Sequence, residues 1–166
     1  MSFLKKNKKN ATSSDDLKKA FNQAIAHAWT QDEAKAALMH WVDAVQRGNS
    51  IEIGNLYARG AMLWGTMADH DATGALETYR YFDMFLADKK RLEIEVKSST
   101  VDIYGIWATV SGEYTFKYAD KAGQQYVVPA RYSMAIERLA NGDFEIRRHH
   151  SSLHPHEPAY QVKRAP

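Results

Sequence analysis

The chain has 166 residues, a length that favours one domain with its own hydrophobic core. It contains no cysteine, which excludes a disulfide framework, a thiol nucleophile, an iron–sulfur site and a cysteine zinc site, and fits a reducing cytoplasm. The positive net charge of +2 comes from four lysines among the first ten residues. Without them the chain has 18 basic and 20 acidic side chains, a net charge of −2. The rest of the chain therefore lacks the basic field of a nucleic-acid-binding protein.

The two ends of the chain predict flanking segments around one domain. Residues 1–13 predict a basic disordered arm, residues 14–155 a single domain and residues 156–166 a polar C-terminal tail. Electrostatic contact with an acidic surface is an alternative role for the arm. No apolar run follows the first lysines as in a secretory signal, and no stretch approaches the roughly 20 apolar residues of a membrane span. We therefore expect a cytoplasmic protein that binds neither membrane nor nucleic acid.

The first part of the chain predicts helices. Residues 13–16, SSDD, supply the small polar caps and the acids of a helix start, and apolar residues then recur at three- and four-residue spacing through Ala28. Thr30 and Glu33 have the spacing of a capping box and predict the start of a second helix, which Gly48 ends. One long kinked helix would give a similar pattern.

Shorter elements follow these helices. Residues 50–58 predict a short helix, and the apolar residues 61–66 predict a first strand or an extended edge segment. Thr73 is expected to cap a further helix with a wide apolar face, which ends at residues 88–90.

The second half of the chain predicts strands, because its apolar residues recur at every second position. Gly112 predicts a bulge or sharp bend, and Asn141-Gly142 predicts a hairpin turn into a last strand. Helices followed by antiparallel strands indicate an α+β fold, with the helices on one face of the sheet. The three alternating segments before the hairpin turn lie around residues 92–97, 106–118 and 127–137.

The last strand carries a charged cluster whose direction depends on register. Residues 144–146, Phe-Glu-Ile, indicate an inward face, and strict alternation then puts Arg148 and His150 on that same inner face. A hairpin loop of two or four residues would pair Ser133 with His150, whereas a loop of three residues would pair Tyr132 with it. The sequence leaves both registers open.

Four short motifs carry a family resemblance. They are Leu63-Trp64-Gly65-Thr66, Gly112-Glu113-Tyr114-Thr115-Phe116, Pro129-Ala130-Arg131 and His149-His150-Ser151-Ser152. In order and spacing they resemble the nuclear transport factor two-like (cystatin-like, SnoaL-like) superfamily, over residues 32–155. Within it, the chain is most similar to SgcJ/EcaC-type proteins and to the association domain of calcium/calmodulin-dependent kinase II.

The resemblance implies a cone-shaped α+β fold, in which N-terminal helices pack in the concave face of a strongly bent antiparallel sheet and leave a cavity. Members of the superfamily include isomerases, dehydratases, polyketide cyclases and non-catalytic binding or assembly modules. The fold alone therefore does not set the function. This chain has Phe144 where the family usually has tryptophan.

A small-molecule-binding domain is the first functional hypothesis. Its ligand would be a small anionic or carboxylate-bearing organic molecule held by basic side chains at the cavity mouth. Cross-strand salt bridges to Glu137 and Glu145 are the alternative role for these basic side chains. The ligand-binding residues would be Arg131, Arg148, His150, Trp64, Tyr114 and Tyr132.

An enzyme is the second hypothesis: an isomerase, dehydratase or cyclase with His150 as the candidate general base or acid and an arginine that stabilises an enolate-like oxygen. Tyr114 or Tyr132 could donate to that oxygen, although an inward tyrosine is more often part of the core. No metal or cofactor is predicted, because His149 and His150 are neighbours on a strand and should point to opposite faces.

An oligomerisation module is the third hypothesis. An exposed tryptophan among small β-forming side chains is typical of a sheet-on-sheet interface, and the resemblance implies pairing through the sheet. We therefore expect a homodimer. The residues expected on this surface are Trp107, Thr109, Ser111 and Thr115.

Overall fold

A computed structural model describes residues 13–19 and 28–154 of the chain. The predicted arm, apart from Ser13, and the predicted tail lie outside the described residues. Residues 14–19 are helical, and the Ser13 hydroxyl accepts a hydrogen bond from the Asp16 amide at 3.1 Å, which confirms the predicted start. No described helix is both long and apolar enough to cross a membrane.

Three further helices follow. They are α1, Gln31–Arg47, α2, Ser50–Asn55, and α3, Gly74–Leu86. Thr73 precedes α3 as predicted, but its hydroxyl donates to Asp71 and does not cap the helix, which ends at Leu86 rather than at residues 88–90. The predicted capping box of Thr30 and Glu33 opens α1, and Gly48 ends it at a φ of 73°, where a side chain would be strained. The Glu33 carboxylate also accepts hydrogen bonds from Arg138, which together with those from Thr30 lower its pKa to about 2.

Six strands form one open, mixed sheet in the order β2-β1-β6-β5-β4-β3. All neighbours are antiparallel except β1 and β6, which run parallel. The strands are β1, Tyr57–Trp64, β2, Ala72–Thr73, β3, Lys90–Tyr104, β4, Trp107–Ala119, β5, Gln125–Arg138, and β6, Phe144–Leu153.

The predicted α+β fold class is confirmed, with the helices on the concave face of the sheet. The buried stripe of α1 packs there, and the Trp41 ring stacks on Tyr114 at 6.0 Å between centroids. The parallel contact between β1 and β6 was not expected from the sequence, because nothing local specifies which edge a distant strand joins. We call the concave side of the sheet its inner face and the opposite side its outer face.

The pairing of β3 with β4 is irregular beside Gly112, where the sequence predicts a bulge or sharp bend. A β carbon at this position would lie 2.1 Å from the Ser98 carbonyl oxygen, so that only glycine allows the two strands to approach. The pairing register shifts at the same point, between Val96 and Ser98. The extra residue of the irregularity is therefore Lys97 of β3, opposite the step from Glu113 to Tyr114.

The hairpin between β5 and β6 combines an odd loop with a bulge. Arg138 pairs with Phe144, so that the loop spans residues 139–143, and Gly142 has a φ of 91°. Between Ala135 and Ile136 the register then shifts by one residue. Beyond this bulge, Ser133 faces His150, which is the register predicted for a loop with an even number of residues.

Candidate functional site

The bulge in β6 turns the predicted site residues to the outer face. Ile146 is buried, but one unpaired residue, Arg147, follows before the pairing resumes at Arg148. Alternation therefore restarts with the opposite parity, and Arg148 and His150 are exposed. The prediction that these two side chains face the interior is wrong for this reason.

Trp64 and Arg131 also lie on the outer face. Trp64 pairs with His150 across the parallel strands and is 47% exposed, because Leu63 is the residue of β1 that points inward. Trp64 is therefore not an inner wall. Arg131 is exposed, and one of its guanidinium nitrogens lies 3.3 Å from the Ser152 hydroxyl oxygen.

Tyr114 and Tyr132 lie on the inner face, as predicted. Both are buried, and their rings stack with centroids 4.8 Å apart. The six predicted ligand-binding residues are thus divided between two faces and do not form one pocket. Their role toward a ligand stays a prediction, as does the role of His150 as a base.

Cross-strand salt bridges occur on β6, but at a residue that the sequence did not single out. The bulge residue Arg147 contacts Glu137 at 2.5 Å and Glu145 at 3.4 Å. The predicted acidic partners are therefore occupied by Arg147. Within the described chain, Arg148 has no carboxylate partner and donates to the carbonyl oxygens of Gly60 and Arg147.

The inner face carries a histidine in place of the predicted Arg148 and His150. His149 is 2% exposed, and its Nδ1 lies 2.7 Å from the Tyr57 hydroxyl, which also accepts from the Trp41 indole at 3.1 Å. Burial, with a smaller contribution from the neighbouring His150, lowers the pKa of His149 to about 3. The imidazole is therefore neutral, and its Nε2 has no hydrogen-bond partner among the described atoms.

A second buried hydrogen-bond group lies beside it. The Tyr114 hydroxyl donates to Ser151 at 2.7 Å, and Ser151 also bonds to Thr66. Burial raises the pKa of Tyr114. The space left between these side chains and the aromatic rings of α3 is about 10 Å³, no more than one water molecule needs. This space is too small for an organic ligand.

One sequence signal could have revealed the inward direction of His149 and Ser151. The apolar residues of β6 change parity, from Phe144 and Ile146 to Leu153, which also packs against the core. Such a change requires one extra residue between them. Strict alternation without this extra residue predicts the wrong face for His149 and Ser151.

The outer face contains a depression of about 230 Å³. Small side chains of β4 and β5 form its floor, and larger side chains of β1 and β6 surround it. We call it the outer depression. The floor residues are Thr109, Ser133 and Ala135, and the surrounding residues include Met62, Trp64, Arg148 and His150.

Most residues expected at a dimer surface lie at least partly exposed on this face, and the dimer itself stays a prediction. Trp107 is 39% exposed, and Thr109 and Ser111 point the same way. Thr115 is 7% exposed, because it lies between Glu95 and Pro129 of the neighbouring strands. The prediction that Thr115 belongs to the exposed surface is therefore wrong.

The other acid–base and metal candidates are dispersed. Asp69 and His70 are exposed and lie 2.5 Å apart, and the contact lowers the pKa of Asp69. His149 and His150 point to opposite faces, as expected from their adjacency. Among residues 13–19 and 28–154, no three metal-binding side chains converge, and His156 lies outside the described residues.

The match to a family model decides the family. Residues 30–155 match the calcium/calmodulin dependent protein kinase II association domain. The chain belongs to this association-domain family. A candidate association domain of the same kind from Xanthomonas campestris is 30% identical, with a TM-score of 0.70, over 75% of this chain and 88% of that one.

More distant structures share the fold of this association domain. A candidate dehydratase of the NTF2-like family from Streptomyces avermitilis is 15% identical, with a TM-score of 0.66, over 74% of this chain and 95% of that one. A ketosteroid isomerase-like protein from Erwinia carotovora atroseptica is 18% identical, with a TM-score of 0.65, over 78% of this chain and 100% of that one. These identities support the fold alone. A search of curated proteins found no match.

Proposed function

We propose that this chain is a non-catalytic association module that forms a homodimer through the outer face of its sheet. The observation that carries the proposal is the self-complementary charge pattern of that face. The filled space beside His149 supports it, because it leaves the ligand pocket predicted inside the sheet without a cavity. The family name, which describes an association domain, also supports it.

The charge pattern lies along one row of paired residues that crosses four strands. Arg148 on β6 pairs with Ala135 on β5, Ala135 with Thr109 on β4, and Thr109 with Asp102 on β3. A cation and an anion therefore end the row, and small side chains form its centre. Neither Arg148 nor Asp102 has an ion-pair partner in the part of the chain that the structure describes.

A two-fold axis would bring these charges together. For an axis parallel to the strands and centred between β4 and β5, Arg148 of one copy faces Asp102 of the other, and the reverse contact forms by symmetry. The small residues at the centre let the two sheets approach to the separation of about 10 Å that is usual for stacked sheets. Two equivalent ion pairs would then fix the register of the dimer.

The shape of the outer face is consistent with the same arrangement. Exposed aromatic side chains lie near both edges, Trp64 at β1 and Tyr104 with Trp107 at the other side, around the outer depression. Aromatic side chains on a non-obligate face are typical anchors of protein–protein contacts. A partner with the same face offers both projecting rings and a depression, as an isologous interface requires.

A charge exchange tests the proposal. Arg148→Glu and Asp102→Arg should each weaken the dimer about tenfold or more, because each places like charges opposite one another. The double variant should restore the wild-type dissociation constant to within about threefold. Light scattering across a protein concentration series measures the dissociation constant of the dimer.

The control for this experiment is Lys121→Glu, which changes charge equally in the exposed turn after β4. It should leave the dissociation constant unchanged. A wild-type chain that stays monomeric at all concentrations would overturn the proposal. A double variant as weak as the single variants would overturn the proposed pairing of Arg148 with Asp102.

A further inference from the structure

We propose that a pocket beside α3 binds the zwitterionic head and apolar side chain of a free amino acid. The pocket has a volume of about 380 Å³, within the range of small-molecule sites. It lies between α3 and the loop of residues 67–72, away from the outer face, and shares Tyr81 and Phe85 with the small space beside His149. We call it the α3 pocket.

One wall of the α3 pocket is apolar. Tyr81 and Phe85 of α3 stack with ring centroids 5.9 Å apart, and Met67 and Met84 extend this surface. Phe85 is 8% exposed, and therefore well fixed by its packing, whereas Met84 is 71% exposed. Such a wall fits an aromatic or large aliphatic side chain.

Two of the charged pairs in the lining are internally satisfied. Asp69 contacts His70 at 2.5 Å, and Asp88 contacts Lys89 at 2.9 Å. The Lys89 ammonium also lies 4.4 Å from the centroid of the Phe85 ring, so that its position is fixed by a cation–π contact. Asp88 and Lys89 therefore compensate each other's charge.

Glu77 and Arg80 are the remaining charged residues of the lining, and neither forms an ion pair within the described residues. They lie three residues apart on α3, yet they form no ion pair with each other. One oxygen of Glu77 accepts the Thr73 amide at 2.7 Å, which leaves the other carboxylate oxygen for a ligand. Arg80 has no hydrogen bond or ion pair within the described residues.

A free carboxylate and a free guanidinium at one pocket match the head group of an amino acid. The ligand carboxylate would accept from Arg80, and the ligand ammonium would donate to Glu77. A ligand with only one of these charges would form only one of the two charged hydrogen bonds. The chemical class is therefore an α-amino acid with a large apolar side chain.

Three probes of similar size test this inference on the full chain. L-phenylalanine should bind saturably, as measured by titration of backbone amide chemical shifts. The carboxylate 3-phenylpropionate and the amine 2-phenylethylamine should each bind about tenfold more weakly, because each loses one charged hydrogen bond. Equal affinity for all three probes, or no saturable binding of L-phenylalanine, would overturn the proposal.

Matched variants locate the site. Arg80→Gln should lower the affinity for L-phenylalanine about tenfold and leave the affinity for 2-phenylethylamine unchanged. Glu77→Gln should also lower the affinity for L-phenylalanine about tenfold, but leave the affinity for 3-phenylpropionate unchanged. Asp83→Asn is the control on the same helix, because Asp83 is exposed and outside the pocket lining. A loss of affinity in Asp83→Asn equal to that in Glu77→Gln would contradict the assigned site.

A steric variant separates the pocket from a general charge effect. Ala68 lies in the loop wall, and Ala68→Trp would fill the α3 pocket without changing any charge. It should abolish binding of all three probes. Unchanged binding in this variant would place the ligand elsewhere and overturn the proposal. Because dimerisation uses the outer face, these results do not depend on the proposed function.

Discussion

His149 and His150 are adjacent in the chain but lie in opposite environments. One is 2% exposed in the core and the other is exposed on the outer face. His149 sits among Trp41 and Tyr57, where the imidazolium form would be a buried charge without a counter-ion. The neutral imidazole is therefore part of the folded structure, and protonation of His149 opposes folding.

The pH dependence of stability follows from this difference. The pKa of His149 is about 3 in the folded chain and 6.5 in its reference state, so that the unfolded chain binds the extra proton between these values. The contribution of His149 is complete above pH 6.5 and declines as the pH falls toward 3. Between pH 6.5 and pH 5 the wild-type chain should lose about 2 kcal/mol relative to His149→Gln.

Denaturant unfolding at several pH values measures this loss. His150→Gln is the matched control, since His150 is exposed and its replacement should leave the pH dependence of the wild-type chain intact. The interpretation fails if His149→Gln and the wild-type chain lose stability in parallel between pH 6.5 and pH 5.

At the scale of the element, two local irregularities shape the sheet. The bulge in β6 decides which side chains of the last strand face the core. The glycine in β4 allows the Ser98 carbonyl to approach beside the register shift in β3. Each irregularity involves one residue, yet each changes the direction of a whole strand segment.

Replacement of Gly112 tests the close approach of β4 to the Ser98 carbonyl of β3. Gly112→Ala should destabilise the fold by about 1–3 kcal/mol, because its β carbon would lie 2.1 Å from backbone atoms that cannot easily move. Gly60→Ala in β1 is the control, since no atom lies within 4 Å of its β carbon and its φ is not left-handed. It should be neutral or slightly stabilising. Chemical denaturation of both variants gives the comparison, and equal stabilities would contradict the close approach.

At the scale of the whole molecule, the outer face is the largest feature that the fold itself does not explain. A soluble sheet with one covered face commonly exposes polar side chains on the other. Here the exposed face includes Trp64, Tyr104 and Trp107. In the proposed homodimer, pairing of two such faces would bury these rings. Their burial would stabilise the dimer.

A dimer makes thermal stability depend on concentration. The melting temperature of the wild-type chain should rise with protein concentration, because association stabilises only the folded state. Trp107→Asp should remove this dependence by placing a charge in the interface. Leu76→Asp on α3 is the control, since Leu76 is 61% exposed and lies on a helix. It should retain the dependence, and a concentration-independent wild-type melting temperature would contradict dimerisation.

The sequence by itself determined the features that depend on neighbouring residues. A few adjacent residues specify each of these features: the capping box at Thr30, the helix end at Gly48, the turn at Asn141-Gly142 and the irregular pairing beside Gly112. The periods of the apolar residues likewise separated the helices from the strands. The α+β class and the family resemblance followed from the order of these local signals.

Only the tertiary structure decided which side chains share a site. The parallel pairing of β1 with β6 and the bulge in β6 depend on contacts between distant segments. They placed Trp64, Arg148 and His150 on the outer face, and His149 and Ser151 inside. The α3 pocket likewise arises from a loop packed beside a helix. A strand has period two, so that a single inserted residue reverses its faces, and packing of the whole sheet determines where that residue is placed.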